Sequence, residues 1–241
     1  MAKAWYNLLI YHIMDRQIER CIQTYVQGRL IDIGCGTKPY EAMARAYATS
    51  HVGFDTAAPF NSQAKVDVIG RAYQIPVVDG AFDAALSTAA LEHLNEPEAA
   101  LRECHRVLKE GGVAIYTVPL FWHLHSEPWD YYRFTKYGLH YLFTKVGFEV
   151  VELKSLAGFW ETMATMSCYY LERFNRKPLR YLRVIPMLGY LIQGVASVLG
   201  RLDRAEAWSW MYIVVARKRR MMAHPMRSSV SVNDLLATSD A

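Results

Sequence analysis

An acid and two glycines at the end of an apolar run are the first residues of this chain whose types and spacing could do chemistry. In LIDIGCGTKPY (30–40), Leu30, Ile31 and Ile33 read as a strand containing Asp32, and Gly34 and Gly36 follow it. Glycines let the backbone turn sharply and come close to a ligand, and a helix starting after them would offer unpaired N–H groups. This is the pattern of a cofactor seat, and alone it does not choose the cofactor. Pro39 stands where a dinucleotide fingerprint has its third glycine, and Asp32 before the turn would repel a diphosphate. Asp55 closes HVGFD, 23 residues after Asp32. That is the spacing of a β-α-β unit whose second acid grips a pair of ribose hydroxyls, although a lone acid there could equally cap the next turn.

The elements that must position these residues follow from periodicity. Residues 4–26 place Leu8, Leu9, Ile13, Ile18, Ile22 and Tyr25 at helical spacing, with Gly28 as a stop. A second helix is expected over 39–48, then strands over 51–55, 65–69 and 82–88. The stretch 95–109 reads as a helix with Asn95 as cap, Pro97 in its first turn and Gly111 and Gly112 as terminators. VAIYTV (113–118) is a continuous apolar strand of the kind covered on both faces. Thr135 caps a helix carrying Leu139, Leu142, Phe143 and Val146, stopped by Gly147, and 148–153 and 208–216 are two further strands. Alternation of strand and helix predicts an α/β, doubly wound sheet.

Composition narrows the function classes. Apolar residues make up 52% of the chain and charged ones 21%, as in a globular protein with a sizeable core. Of the net charge of +4, residues 217–241 contribute +3 through Arg217, Lys218, Arg219, Arg220 and Arg227 against Asp234 and Asp240. The nearly neutral body lacks the basic face of a nucleic-acid binder. Cys21, Cys35, Cys104 and Cys168 are scattered, which predicts buried thiols in a reducing compartment and no zinc knuckle. Asp15, Arg16, Glu19 and Arg20 interrupt the first twenty residues, so they do not read as a secretory signal, and a cytoplasmic location is expected.

The series DIGCGTKPY, GFD, FDAALSTAALEHLNEP, the helix ending RVLKEGG, and VAIYTVP resembles the class I, seven-stranded, Rossmann-like S-adenosylmethionine-dependent methyltransferases over roughly residues 28–155. The resemblance implies a mostly parallel seven-stranded sheet with S-adenosylmethionine as methyl donor, 208–216 supplying the last strand. It implies that Asp32, Gly34, Cys35 and Gly36 surround the methionine part, that Asp55 binds the ribose, and that Ser87 and Thr88 close the site. Family members commonly carry an acid for the adenine amino group where this chain has Arg71. An arginine cannot accept a hydrogen bond, which leaves adenine to backbone groups near Ala72 or to stacking by Arg71 or Tyr73.

Methyl transfer asks the protein to hold an acceptor in line and, for an oxygen, to remove a proton. Four histidines fall where an acceptor should bind: His93 in LEHL, His123 and His125 in PLFWHLHSEPWDYYRFT, and His140. His125 and His93 are the candidate bases. Asp130, Arg133 and the aromatics Trp122, Trp129, Tyr131, Tyr132 and Phe134 suit a sugar or flat ring, or serve as lid packing. His123, His125 and Asp130 also form a metal-ligand pattern, but nothing in sequence completes its shell, so no metal is expected. The expected function is transfer to an oxygen, with nitrogen second, of a small-molecule or glycan- or lipid-linked acceptor. The alternative is a non-catalytic module of this fold.

Residues 1–216 read as one methyltransferase domain with a helical insertion at 157–207, and 217–241 as a basic disordered tail. Within the insertion, 184–200 is apolar except for Gln193 and Ser197 and is flanked by Arg180, Arg183, Arg201 and Arg204. At ~25 Å as a helix it is short of a span, and Pro186, Gly189 and Gly194 weaken it. A cap over the acceptor pocket, a peripheral contact at the inner face of a membrane, and a dimer contact are the competing readings.

Overall fold

The computed structural model describes residues 4–57, 65–203 and 205–219. Helix α1 (Leu8–Tyr25) leads into β1 (Gly28–Ile33), α2 (Glu41–Ala44), β2 (Ala48–Asp55), β3 (Val68–Ile69) and β4 (Phe82–Thr88). Then come α3 (Pro97–Val107), β5 (Leu108–Pro119), α4 (Lys136–Lys145), β6 (Phe148–Ser155), α5 (Phe159–Glu172), α6 (Val184–Leu202) and β7 (Met211–Lys218). The strands form one seven-stranded sheet in the order β3-β2-β1-β4-β5-β7-β6. β7 runs antiparallel to both of its neighbours, and the other pairings are parallel.

Both faces of the sheet are covered, which explains the continuous apolar strands. Successive residues of β1 serve opposite cores. Ile31 packs with Leu101 and Val107 of α3 and Leu139 and Phe143 of α4, while Leu30 packs with Ile10, Ile18 and Ile22 of α1. The strand order reverses between β1 and β4, and the crevice beyond the carboxyl ends of strands at such a switch point is where open α/β sheets bind ligands.

Several boundaries differ from those predicted. The helix expected over 39–48 is cut to Glu41–Ala44, because Ala48 is claimed by the ladder with Gly28 and pairing overrides helix propensity. The strand expected over 65–69 shrinks to Val68–Ile69. Asn95 does not cap α3; Glu96 holds that position without a side-chain bond, and the Asn95 Oδ1 instead accepts from the Tyr73 hydroxyl. Gly111 and Gly112 do not stop α3 but lie inside β5, where the register with β4 jumps between Phe82 and Ala84. A Cβ on Gly112 would stand 3.1 Å from the Asp83 carbonyl oxygen, so this irregular edge needs a glycine. β7 starts at Met211 and takes in Arg217 and Lys218, so these two belong to the sheet and not to a tail; the rest of the predicted tail from 220 onward lies outside the described residues.

The insertion is a pair of helices, α5 and α6. Gln193, buried on α6, accepts from the Leu9 N–H at 3.0 Å and donates to the Trp5 carbonyl at 2.9 Å, tying the helix to the N-terminal segment. Gly189, which looks like a weak point in sequence, is where Trp5 presses against α6, and Gly200 is where Glu161 does.

Candidate functional site

Where β1 ends, Gly34 and Gly36 take φ of +74° and +48°. The N–H groups of Gly34 and Cys35 donate to the Phe54 carbonyl at 2.9 and 3.2 Å, and Gly36 N–H donates to Asp55 Oδ2 at 3.0 Å. The turn is thereby clamped to the end of β2. This corrects the expectation of helix amides facing a ligand: α2 has a single turn, and the turn before it closes on itself through Lys38 N–H to the Cys35 carbonyl. What the turn offers is close approach, since no described atom lies within 4 Å of where a Cβ on Gly36 would stand.

Asp32 is sealed beneath the turn, 2% exposed, with Oδ2 3.1 Å from His51 Nε2. Burial raises its pKa, against the pull of His51 and Lys38. Its contact with His51 braces β1 to β2 beneath the turn. Lys38, a residue sequence reasoning passed over, is buried at φ +51° and pairs with Asp67 and the His51 carbonyl. Asp67 also accepts from Gly53 N–H at 2.7 Å, so it is not available to replace the missing adenine acid.

Asp55 lies at the rim. Its Oδ1 accepts from Thr56 N–H at 2.7 Å and its Oδ2 from Gly36, leaving each oxygen a second lone pair for a ribose hydroxyl. Arg71 is exposed and begins a tight turn in which Gln74 N–H donates to its carbonyl at 2.8 Å; Ala72 packs inward with Phe54 and Ile75. Cys35 is buried, with its Sγ 3.6 Å from the Lys65 carbonyl oxygen, and burial holds its thiol up at about 12. It is a packing group, as are the other three cysteines, all free and buried.

β4 ends at Ser87, buried beside Tyr116 in register, and Thr88, opposite Thr117. Ala89 follows at φ +49°, and the Cβ of Ala90 would meet one on Gly34 at 2.7 Å. This contact sets the chain after β4 directly against the glycine turn. A short 3-10 turn, Leu91–His93, then buries Glu92, which sequence reasoning missed. Its side chain is 1% exposed, and its Oε2 has no hydrogen-bond partner among the described residues. Desolvation pushes the carboxyl up to about 8, with Arg133 pulling the other way. The available signal was an acid beside His93 between the apolar residues of AALEHL.

The loop after β5 arches over this turn. Tyr131 and Tyr132 N–H groups both donate to the Glu92 carbonyl, at 3.0 and 3.2 Å. Asp130 is held by both Arg133 nitrogens at 2.7 and 2.8 Å and accepts from His125 N–H at 3.0 Å. Arg133 also donates to the Trp122 and His123 carbonyls. The aromatic loop is thus ordered from within. His125 Nδ1 stands 3.3 Å from both Asp130 Oδ2 and the His123 carbonyl, which fixes the proton on Nδ1 and the lone pair on Nε2. Burial lowers the pKa of His125, with Asp130 opposing, so the imidazole is neutral near pH 7. His93 Nδ1 lies 2.8 Å from the Trp129 carbonyl, and the His93 and His125 rings are 4.7 Å apart.

The structure therefore brings His93 and His125 together with Glu92, while Asp130 is held by Arg133 and accepts from His125 N–H. His123 packs on Tyr169 and Trp122 with a buried Nδ1 that has no hydrogen-bond partner among the described residues. His140 is exposed on α4. Trp129, Tyr131 and Tyr132 remain exposed, and Phe134 is core. A cleft of about 1240 Å³ lies at the opposite ends of β4 and β5. Its Lys109 and Asp83 neutralise each other at 2.6 Å, so we place the chemistry at the switch point and not there.

Residues 31–116 match a family model described as a methyltransferase domain. Ajmaline N-methyltransferase of Rauvolfia serpentina is 30% identical over 112 residues, which are 41% of this chain and 37% of that protein. Malonyl-[acyl-carrier protein] O-methyltransferase of Serratia marcescens is 30% identical over 95 residues, 37% of each. The chain thus spans little more than a third of the length of these curated relatives. Among solved structures, the [4+2]-cyclase SpnF superposes with a TM-score of 0.58 over 85% of this chain and 81% of that one, at 22% identity, a likeness of fold.

Proposed function

We propose that this chain, whose residues 31–116 match a methyltransferase-domain model, is a class I S-adenosylmethionine-dependent methyltransferase that methylates an oxygen, with nitrogen as second choice, of a small-molecule or glycan- or lipid-linked acceptor. The observation that carries this reading is the contact of Ala90 with Gly34, which sets the Glu92, His93 and His125 cluster beside the cofactor turn. The turn fits the cofactor: space over Gly36 admits a ligand backbone-close, and Asp55 keeps lone pairs for a diol. Bound there, S-adenosylmethionine supplies an electrophilic methyl group on a sulfonium.

The chain's own residues do the rest. Asp32 and Asp55 place negative charge near the cation, and Ser87 and Thr88 wall the end of β4. His125 Nε2, with Nδ1 held by the His123 carbonyl and the backbone N–H by Asp130, takes the acceptor's proton, with His93 as the alternative base. Trp129, Tyr131 and Tyr132 offer exposed faces for a sugar or flat acceptor. The test is transfer of an isotopically labelled methyl group from S-adenosylmethionine into aqueous and lipid fractions of a cell extract. Label appearing in an acceptor, and lost with His125→Ala, supports the reading. Cofactor binding with no label in any fraction would overturn it.

A second reading rests on a different face. α6 exposes Met187, Leu191, Val195, Val198 and Leu202, and Arg180, Arg183 and Arg201 lie exposed around it. With Gln193 docked inward, the helix lies flat against the body, as a peripheral helix on an anionic membrane would. This contact serves an enzyme with a lipid-linked acceptor at the inner face of a membrane. It equally serves a non-catalytic module, which the arginine at 71 favours and the shared fold permits. Co-sedimentation with vesicles containing phosphatidylserine, reduced by Met187→Glu with Leu191→Glu, supports membrane contact. Equal sedimentation of both proteins rejects it.

A further inference from the structure

We propose that Glu92, His93 and His125 bind one divalent transition-metal cation between the ends of β4 and β5. The three side chains come from two separate segments, yet their donor atoms all lie within 4.8 Å of one another. The Glu92 carboxylate is the independent sign of a ligand. Its side chain is 1% exposed and its Oε2 meets no hydrogen-bond donor among the described residues. A buried polar atom left without a partner is costly, and a cation at the centre of the trio would satisfy it, the carboxyl giving up its proton to solvent on binding.

The histidines are set up as metal ligands are. A ligating histidine typically donates its other ring N–H to a carbonyl or carboxylate, which fixes tautomer and orientation. His93 Nδ1 has the Trp129 carbonyl at 2.8 Å, and His125 Nδ1 has Asp130 and the His123 carbonyl at 3.3 Å. These partners only accept, so each Nδ1 carries the hydrogen and each Nε2 the lone pair. Asp130 itself is held by Arg133 and orients His125. Two imidazoles and one carboxylate suit zinc, manganese, iron or cobalt in the divalent state, whereas calcium and magnesium favour all-oxygen sets. Ligand bonds of ~2.0–2.2 Å bring donors to roughly 3–3.5 Å from one another. The trio must therefore contract by about 1.8 Å at most, within reach of side-chain rotation for two partly exposed histidines.

The binding site stands on this geometry alone; its use rests on the functional reading above. Three protein ligands leave a coordination position open. An acceptor hydroxyl there would release its proton to water more readily; with the cation bound, His125 is a ligand and water takes the proton, so the free-base role of His125 belongs to the metal-free protein.

The test is titration of the full chain, stripped of metal with a chelator and dialysed, with cobalt(II), followed by visible d–d absorption and by zinc competition. One saturable cobalt per chain is expected. Glu92→Gln and His125→Ala should each lower the affinity tenfold or more, and Asp130→Asn about 10–100-fold through loss of His125 orientation. His140→Ala, exposed on α4, should leave it unchanged, and circular dichroism checks that each variant folds. Cobalt binding that is absent, or equal in wild type and folded Glu92→Gln, overturns the proposal, as does an equal loss with His140→Ala. Calorimetry with S-adenosylhomocysteine on the same samples separates the two readings. Product binding without a cobalt site sinks the metal alone, and a cobalt site without product binding sinks the methyltransferase role alone.

Discussion

Gly34 and Gly36 stand two residues apart in one turn, yet substituting them should have opposite consequences. Both have positive φ, so a Cβ at either strains the backbone by ~1–2 kcal/mol, partly offset by a less flexible unfolded chain. Beyond that, their surroundings differ. A Cβ on Gly34 meets the Ala90 Cβ at 2.7 Å, whereas at Gly36 no described atom is within 4 Å. Gly34→Ala adds an overpacking cost of about 1–3 kcal/mol and Gly36→Ala does not. With a shift of roughly 2–4 °C per kcal/mol for a chain of this size, Gly36→Ala should lower Tm by about 2–4 °C and Gly34→Ala by two to four times as much. Cofactor affinity should reverse the emphasis. The Gly36 methyl group occupies the space over the turn, and a loss of at least ~1.4 kcal/mol, tenfold in Kd for S-adenosylhomocysteine, is expected. Thermal melts and titration calorimetry on the two variants test this. Gly36→Ala binding product within twofold of wild type, or melting as low as Gly34→Ala, would refute the placement of the cofactor.

Asp55→Ala should weaken S-adenosylhomocysteine binding by about 1–3 kcal/mol through loss of a charge-assisted hydrogen bond; unchanged calorimetry would put the ribose elsewhere. Glu152 of β6 accepts from Arg20 of α1 at 2.9 and 3.1 Å, and this pairing pulls its carboxyl down to about 2. A depressed folded pKa gives stability that is present above the unfolded value, ~4.3, and lost as pH falls toward 2. Arg20 is a third exposed, so screening limits the effect to roughly 1–2 kcal/mol. Arg20→Ala should therefore destabilise at pH 7 and by only about a quarter as much at pH 2.5 in urea melts, and an equal loss at both would contradict the pairing. Gly189→Ala on α6 puts a Cβ 1.9 Å from Trp5 and should cost about 1–3 kcal/mol. Gly194→Ala, in open space, should gain up to ~1 kcal/mol; a neutral Gly189→Ala in chemical denaturation would mean that Trp5 does not dock there.

Legibility in the sequence followed the range of the forces involved. Strand β4 and the two-faced core came directly from runs such as FDAALST and VAIYTV, because burial on both sides leaves an unbroken apolar signature. Boundaries failed where pairing across the sheet outweighed local preference: Ala48 left its helix for Gly28, and Gly111 and Gly112 entered β5 to accommodate the jump against β4. The cofactor turn and Asp55 were visible from residue type and spacing, but the clamp between Gly36 and Asp55 was not, since it joins the ends of two strands. His93 and His125 were chosen separately. Only the arch of the loop over the Leu91–His93 turn reveals that they meet, and that Glu92 lies buried with them. Asp32 shows the converse: its place in the motif was clear, while its bond to His51 depends on the neighbouring strand.

The central claim is that the crevice between β1 and β4 holds S-adenosylmethionine, and isothermal titration of the purified chain with the cofactor and with S-adenosylhomocysteine tests it most directly. One saturable site for each, weakened in Gly36→Ala and in Asp55→Ala, is the result expected. No binding of either compound by folded protein would contradict it.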